Sequence, residues 1–217
     1  NGAGKSTLLR TLAAYQPPLS GRVEYAGCNV NEMSQRDIAK QISVVLTVLP
    51  TAPLTVEELV SLGRTPYTDF LGRMTMADRK AVGDAMELMG VSNFANRRIS
   101  ELSDGERQKC MIAKALAQET SLILLDEPTA FLDFGSKVNL FRTLKKLAQQ
   151  NQKAILVSTH DIELAIRFAD RIWLLSDGVM HEGCVTDLYD NGALQRFINS
   201  DGVVYDRENN RIVITET

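Results

Sequence analysis

Two adjacent carboxylates, Asp126 and Glu127, follow an apolar run over residues 121–125. The run is short and bounded by polar residues, and Pro128 comes directly after the acids. This pattern predicts a buried parallel strand that ends at the acid pair. Open α/β sheets bind ligands at the carboxyl ends of their strands, so one carboxylate could hold magnesium while its neighbour orients a water. The alternative is an acidic strand end in contact with solvent.

The first residues, NGAGKST, match the end of a phosphate-binding loop, G-x-x-x-x-G-K-[ST]. Gly2 and Gly4 would let the backbone turn its N–H groups towards phosphate. Lys5 would reach the β- and γ-phosphates, and the hydroxyl of Ser6 would bind magnesium. A helix predicted over residues 5–15 places its positive end at the anion. The alternative is a chance glycine-rich turn before a helix.

A second possible anion site lies in residues 102–108, LSDGERQ, at the start of a helix predicted over residues 106–118. A serine, a glycine and free backbone amides at a helix N-terminus can bind an anion. The alternative is a simple helix cap. One chain would then have two phosphate-binding loops far apart in sequence.

Together, NGAGKST, LSDGERQ and LILLDE resemble the motifs of ABC transporter ATP-binding subunits. The resemblance implies ATP and Mg²⁺ as cofactors. It also implies a head-to-tail homodimer, in which Ser103 and Gly105 contact the γ-phosphate held by Lys5 of the other subunit. Asp104 stands where the family has glycine, and its side chain is expected to turn away from the phosphate.

The resemblance assigns a role to each residue that matches a family motif. Glu127 is the expected general base or water-positioning residue. His160, which follows the strand KAILVST, is expected to contact the γ-phosphate and hold the attacking water. Asp133 is expected to act across the dimer interface, although alone it would be interpreted as a helix cap. The expected nucleotide contacts are Asn1, Gly2, Ala3, Gly4, Lys5, Ser6, Thr7, Ser103, Gly105, Glu106 and Asp133, and the expected metal ligands are Ser6 and Asp126.

One position departs from the family pattern. The buried strand predicted over residues 42–47 normally ends in a glutamine that touches magnesium and the attacking water and signals to the membrane partner. Here Thr47 occupies that position, or Leu46 if the loop length is counted differently, and Gln41 lies at the wrong end of the strand. The shorter threonine side chain cannot reach the same place without a bridging water. The change therefore affects metal coordination and coupling rather than the fold.

The expected fold class is α/β: a P-loop NTPase core with a parallel sheet over residues 1–190, with a helical subdomain of about residues 55–105 inserted. Within the insert, Thr55 and Glu58 form a capping-box pattern, Gly63 is the expected helix stop, and apolar spacing predicts a helix over residues 76–89. Short helices are predicted over residues 34–41 and 91–96. Residues 191–217 form a C-terminal extension, in which a helix over residues 185–200 ends before a β-hairpin. Because the chain begins inside the loop motif, the preceding strand and an adenine-stacking aromatic residue are expected to be missing.

Composition narrows the possible functions. The chain has 217 residues, of which 44% are apolar and 24% charged, so it can bury a substantial core. No apolar run approaches the ~20 residues of a membrane helix, so a membrane role requires a partner. The net charge of −3 gives no reason to expect a nucleic-acid ligand. Cys28, Cys110 and Cys184 have no metal-like spacing and indicate packing cysteines in a reducing compartment.

The sequence TVEELVSLGRTPYT, residues 55–68, is similar to importers of iron–siderophore complexes, haem and cobalamin. This resemblance implies an ATPase at the cytoplasmic face of the cell membrane, bound to integral membrane permease subunits and acting indirectly with a periplasmic or surface substrate-binding protein. A non-transport ABC ATPase of DNA repair or translation is one alternative, but the heptad arms or basic stripes typical of that class do not occur in the sequence. The other alternative is an inactive fragment.

Overall fold

The computed structural model describes residues 4–47, 53–176, 178–198, 203–209 and 211–214. The helices are α1 Lys5–Leu12, α2 Gln35–Gln41, α3 Val56–Ser61, α4 Met76–Leu88, α5 Asp104–Ala117, α6 Phe134–Asn151, α7 Ile162–Phe168, α8 Val185–Asp190 and α9 Ala193–Ile198. The strands are β1 Glu24–Tyr25, β2 Cys28–Asn29, β3 Ile42–Val45, β4 Leu122–Asp126, β5 Ala154–Ser158, β6 Ile172–Ser176, β7 Val179–Gly183, β8 Val203–Asp206 and β9 Arg211–Ile214. Among the described residues, no helix has the length and apolarity needed to cross a bilayer.

The core of the fold is a parallel sheet of β3, β4 and β5, with β4 in the centre. Alternate residues of β4 point to opposite faces of the sheet. Leu124 packs with Leu9 of α1 and Ile38 of α2, whereas Ile123 and Leu125 pack against α5 and α6. Burial on both faces explains the continuous apolar run, and the predicted parallel sheet is confirmed.

Helix α5 joins the sheet to the helical insert. Its residues Ile112 and Ala115 face the sheet, whereas Cys110, Ala113 and Ala117 pack in the insert with α3 and α4. Burial raises the pKa of the Cys110 thiol to about 11, as suits a packing cysteine. The helix that follows the second anion motif therefore belongs to both units, and movement of the insert would carry this motif with it.

Gly63 has a different role from the predicted helix stop. It lies in a 3₁₀ turn, Leu62–Arg64, that continues α3, and its φ is not positive. A Cβ at this position would lie 2.3 Å from the Lys114 carbonyl oxygen. Glycine is therefore needed because α3 approaches α5 closely. The capping box of Thr55 and Glu58 is confirmed, and the side chain of Ser34 caps α2.

Arg64 is the centre of a buried polar network at the insert. Its guanidinium donates hydrogen bonds to Asp78 of α4, to the carbonyl of Ala117 at the end of α5, and to Glu119, at 2.7–2.8 Å. It also stacks over the ring of Tyr67, 4.1 Å from the centroid. Arg64 and Asp78 are 6% and 3% exposed, so the pair has little contact with solvent.

Several predicted element boundaries are wrong. Helix α1 ends at Leu12 rather than near residue 15, because Ala14 adopts a positive φ. The predicted helix over residues 91–96 is a 3₁₀ turn, Ser92–Phe94. The helix predicted over residues 185–200 is two helices, α8 and α9, separated at Gly192, whose φ is +73°. In the turn between β6 and β7, Gly178 has a φ of +75°.

The C-terminal hairpin of β8 and β9 is confirmed. It packs on the domain through Tyr205, which is buried with Ile172, Leu188 and Leu194. Tyr205 also contacts the ring of Tyr189 at a centroid distance of 5.4 Å. The extension therefore shares an apolar cluster with α7, α8 and β6 rather than forming a separate unit.

Candidate active site

The carboxyl ends of β3, β4 and β5 meet at one edge of the sheet, where the sequence predicts the chemistry. Asp126 is the last residue of β4 and lies beside Ser158, the last residue of β5. Glu127 and His160 follow these two strands, and Thr47 follows β3. A cleft of about 370 Å³ opens at this edge, lined by Thr47, Glu127, Thr129, Ala130, Lys137, Thr159, His160 and Asp161.

Lys5, Glu127 and His160 meet at this edge of the sheet although they are distant in sequence. The carboxylate oxygen Oε1 of Glu127 lies 2.9 Å from Nε2 of His160 and 3.3 Å from Nζ of Lys5. The lysine Nζ also hydrogen bonds to Nδ1 of His160 at 3.1 Å. Oε1 is buried, and its approach to these nitrogens lacks the alignment of a hydrogen bond. The three groups predicted to act on phosphate and water are thus in direct contact.

The N-terminus of α1 is available to an anion. Gly4 caps this helix in a left-handed conformation with a φ of 88°, which glycine adopts without steric cost, and no side chain caps the first turn. Ser6 and Thr7 in that turn are exposed. The predicted contacts Asn1, Gly2 and Ala3 lie outside the described residues.

Asp126 provides the carboxylate for the predicted metal site. It is 3% exposed, and its Oδ1 accepts a 2.6 Å hydrogen bond from the Ser158 hydroxyl. In the part of the chain that the structure describes, no group of three or more His, Cys, Asp or Glu side chains could hold a metal. Magnesium commonly binds one or two carboxylates together with hydroxyls, waters and substrate phosphates. The oxygen donors Asp126 and Ser6 therefore fit magnesium.

The second anion motif forms the N-terminus of α5. Ser103 is the N-cap. The backbone N–H and the hydroxyl of Ser103 both donate hydrogen bonds to the Glu106 carboxylate at 2.8 Å. These hydrogen bonds lower the pKa of Glu106 below its usual value. The predicted nucleotide contact Glu106 thus turns back onto its own helix and orients Ser103. Asp104 pairs with Arg107, so its side chain has a cationic partner.

The second anion motif also contacts the loop that follows the acid pair. A Cβ at Gly105 would lie 3.0 Å from the carbonyl oxygen of Phe131, so glycine permits this close approach. Asp133 caps α6 through its carboxylate, which accepts hydrogen bonds from the backbone N–H and the hydroxyl of Ser136. These bonds lower the pKa of Asp133 below its usual value.

The structure does not bring all the predicted residues together within one chain. Across the described ranges, no hydrogen bond or ion pair joins Ser103, Gly105 or Asp133 to Lys5, Glu127 or His160. Two groups of predicted residues are therefore formed separately, one at the sheet edge and one at the start of α5.

Some contacts at the sheet edge involve residues outside the predicted set. Thr47 donates a hydrogen bond to the carbonyl of Asp126, and Lys137 of α6 forms an ion pair with Asp161, next to His160, at 2.9 Å. Ser158 contacts both Asp126 and Glu127. The signal in the sequence for Ser158 was a hydroxyl residue at the end of the apolar run AILV.

Comparisons with known proteins agree with the resemblance. A family profile described as ABC transporter matches residues 1–130. The chain is 38% identical over 217 residues to the iron(3+)-hydroxamate import ATP-binding protein of Bacillus subtilis, covering 98% of this chain and 80% of that protein. It is 36% identical over 179 residues to the ferric enterobactin transport ATP-binding protein of Escherichia coli, covering 82% of this chain and 66% of that protein.

Solved structures show the same fold. A putative metal-chelate type ABC transporter in an inward-facing conformation matches with a TM-score of 0.75 and 28% identity, over 90% of this chain and 74% of that chain. A dimeric ATP-binding cassette in a post-hydrolysis state, bound to ADP and Pi, matches with a TM-score of 0.75 and 32% identity, over 85% of this chain and 82% of that chain.

Proposed function

The chain belongs to the ABC transporter family of ATP-binding proteins, and we propose that it hydrolyses ATP to drive import of an iron chelate, haem or cobalamin. The contact of Lys5, Glu127 and His160 at the sheet edge carries the proposal for this chain's own site. The relatives named for hydroxamate and enterobactin import support the substrate class.

Binding of ATP has to separate Lys5 from Glu127. The lysine ammonium at the start of α1 is paired with the Glu127 carboxylate. The phosphates carry more negative charge than one carboxylate, and the uncapped N-terminus of α1 adds its own attraction for an anion. Lys5 would therefore move to the phosphates. Glu127 would then be free to accept a hydrogen bond from a water.

The reaction is then attack of that water on the γ-phosphate, with breakage of the bond to ADP. Glu127 orients the water and takes up its proton, and His160, 2.9 Å from the same carboxylate oxygen, holds the water in line. Asp126 and Ser6 would hold Mg²⁺, which would neutralise charge on the phosphate oxygens. Ser103 and Gly105 would reach the γ-phosphate from a second copy of the chain, since they lie apart from Lys5 in their own chain.

Members of this family form dimers, and their importer subunits act with membrane permeases. For this chain we propose that the insert contacts the permease and that the ATPase lies at the cytoplasmic face of the membrane. A substrate-binding protein would then act only through the permease. Three apolar side chains support this surface: Phe70, Leu71 and Met76 are 95%, 55% and 86% exposed. Exposed apolar groups of this size, close together in sequence, are typical of interaction sites.

Changing Phe70 and Met76 to serine tests this part of the proposal. We expect basal magnesium-dependent ATP hydrolysis to be unchanged, because neither residue contacts the cleft, and stimulation by the cognate permease in proteoliposomes to be lost. Leu19 is fully exposed at 108% but lies outside the insert, so Leu19→Ser is the matched control and should keep the stimulation. If the permease stimulates the wild type, the Phe70 and Met76 variant and Leu19→Ser equally, the docking surface is contradicted. Absence of basal ATP hydrolysis in the wild type would contradict the proposed reaction.

A further inference from the structure

The peptide group that joins Asp126 to Glu127 is held on both sides by hydroxyl residues. Its carbonyl accepts a hydrogen bond from Thr47 Oγ1 at 3.2 Å. Its N–H donates to the hydroxyl of Ser158 at 3.0 Å and to the carbonyl of the same residue at 3.2 Å. Both polar groups of this peptide are therefore satisfied by the neighbouring chain segments, one on each side of β4.

The backbone at Glu127 needs this support. Its φ is +49°, in the left-handed region that a residue with a Cβ enters only at a cost in free energy. Such a conformation persists when the surroundings fix it, and it is common at functional sites. Here it turns the chain sharply at the end of β4, and the turn directs the Glu127 carboxylate towards Lys5 and His160.

Ser158 also orients the other carboxylate. Its hydroxyl donates to Oδ1 of Asp126 at 2.6 Å while accepting from the N–H of Glu127. One side chain at the end of β5 thus fixes both the side chain proposed to hold magnesium and the backbone turn that presents Glu127. Hydrogen bonds of this kind to a ligand or catalytic group commonly change its activity when they are removed.

We infer that Thr47 and Ser158 are positioning residues for ATP hydrolysis, acting through the Asp126–Glu127 peptide. The inference rests on the proposed function. Under this inference, Thr47 has a different role from the longer glutamine expected at its position. The Thr47 hydroxyl donates a hydrogen bond to the carbonyl of Asp126, at the end of the strand that carries the acid pair. The two hydroxyls hold this peptide from opposite sides, so loss of either should loosen the placement of Glu127.

The test is steady-state ATP hydrolysis by Thr47→Val and Ser158→Ala. Each variant should lose about tenfold in kcat, with KM for ATP within about twofold, because each loses a hydroxyl contact with the Asp126–Glu127 peptide while the α1 phosphate site is unchanged. Ser158→Ala also loses the hydrogen bond to the Asp126 carboxylate. Thr47→Ser keeps the hydroxyl and should recover most of the wild-type kcat, which a role in filling space alone would not predict.

Ser43 provides a matched control at the other end of β3. Its hydroxyl lies 3.0 Å from that of Thr120, and both residues are buried, at 1% and 0% exposure. Ser43→Ala therefore removes a buried hydroxyl contact between segments of the same sheet, far from the acid pair. Its melting temperature should fall about as much as that of Ser158→Ala, with kcat unchanged.

The outcomes separate this inference from the proposed function. If Thr47→Val and Ser158→Ala lower kcat no more than Ser43→Ala does, or if Thr47→Ser is as slow as Thr47→Val, the positioning role is overturned. In that case a large loss of kcat in Glu127→Gln would leave the proposed function intact. If Glu127→Gln turns over ATP at the wild-type rate, the site assignment itself fails.

Discussion

Replacing Glu127 with glutamine should lower kcat for ATP hydrolysis by about a hundredfold or more while leaving ATP binding intact. The amide keeps the size of the side chain but cannot take a proton from water, and general-base catalysis is worth roughly 10²–10⁴ in rate. Binding should be unchanged or tighter, because Lys5 loses the carboxylate that lies 3.3 Å away and becomes free for phosphate. Equilibrium binding of ATP and single-turnover hydrolysis measure the two effects separately.

Glu163 supplies the control for this variant. It is an exposed residue in the first turn of α7, close in sequence to His160, and Glu163→Gln changes the net charge by the same amount. We expect this control to hydrolyse ATP at the wild-type rate. An equal loss of binding and turnover in Glu127→Gln would contradict the role assigned to Glu127, since it would indicate a damaged site rather than a missing base.

The second large effect concerns stability. Arg64→Ala should lower the free energy of unfolding by about 3–5 kcal/mol, because it leaves the buried Asp78 carboxylate without its cation. The carbonyl of Ala117 and the carboxylate of Glu119 lose a donor as well. Urea denaturation followed by circular dichroism measures the change. Lys80→Ala, which removes an exposed ion pair with Asp84 on the same helix as Asp78, should have no measurable effect.

The deficit of Arg64→Ala, its loss of unfolding free energy relative to wild type, should depend on pH in a definite direction. Hydrogen bonds from Thr75, and then the bond and charge of Arg64, hold the pKa of Asp78 below its usual value. The stabilisation from this carboxylate is therefore complete at neutral pH and is lost as the pH falls through the lowered pKa. In Arg64→Ala the Asp78 carboxylate protonates more readily than in the wild type, so the loss of unfolding free energy should become smaller as the pH falls towards the lowered pKa of Asp78. A deficit independent of pH would indicate lost packing rather than an unpaired charge.

Local sequence signals predicted local structure well. The Thr55 and Glu58 capping box depends on groups three residues apart, and the parallel strand before Asp126 depends on its own apolar run, so each could be inferred from the sequence. Gly63 could not be assigned in this way. Glycine is needed there because a Cβ would clash with the Lys114 carbonyl of another helix. That contact depends on the packing of the insert.

The sequence predicted which residues form the site, but it did not predict how they are arranged in space. Family motifs indicated Lys5, Glu127 and His160, but only the fold brings the Lys5 ammonium within 3.1 Å of a histidine 155 positions away. The Thr47 and Ser158 contacts depend on the order of the three strands. The sequence indicated Thr47 only as a departure from the family glutamine, and it assigned no role to Ser158. The positive φ of Glu127 likewise results from contacts made by neighbouring strands.

The central claim is that Ser103 and Gly105 of one chain complete the ATP site of a second copy. Its most direct test is the mass of the Glu127→Gln chain in solution, measured by light scattering with and without ATP. Without nucleotide the account predicts the 24.0 kDa of one chain, and with ATP it predicts twice that mass. Magnesium is withheld and then added, so that binding and metal effects are separated. A chain that binds ATP but keeps the mass of a monomer in both conditions would contradict the claim that Ser103 and Gly105 complete the site of a second copy.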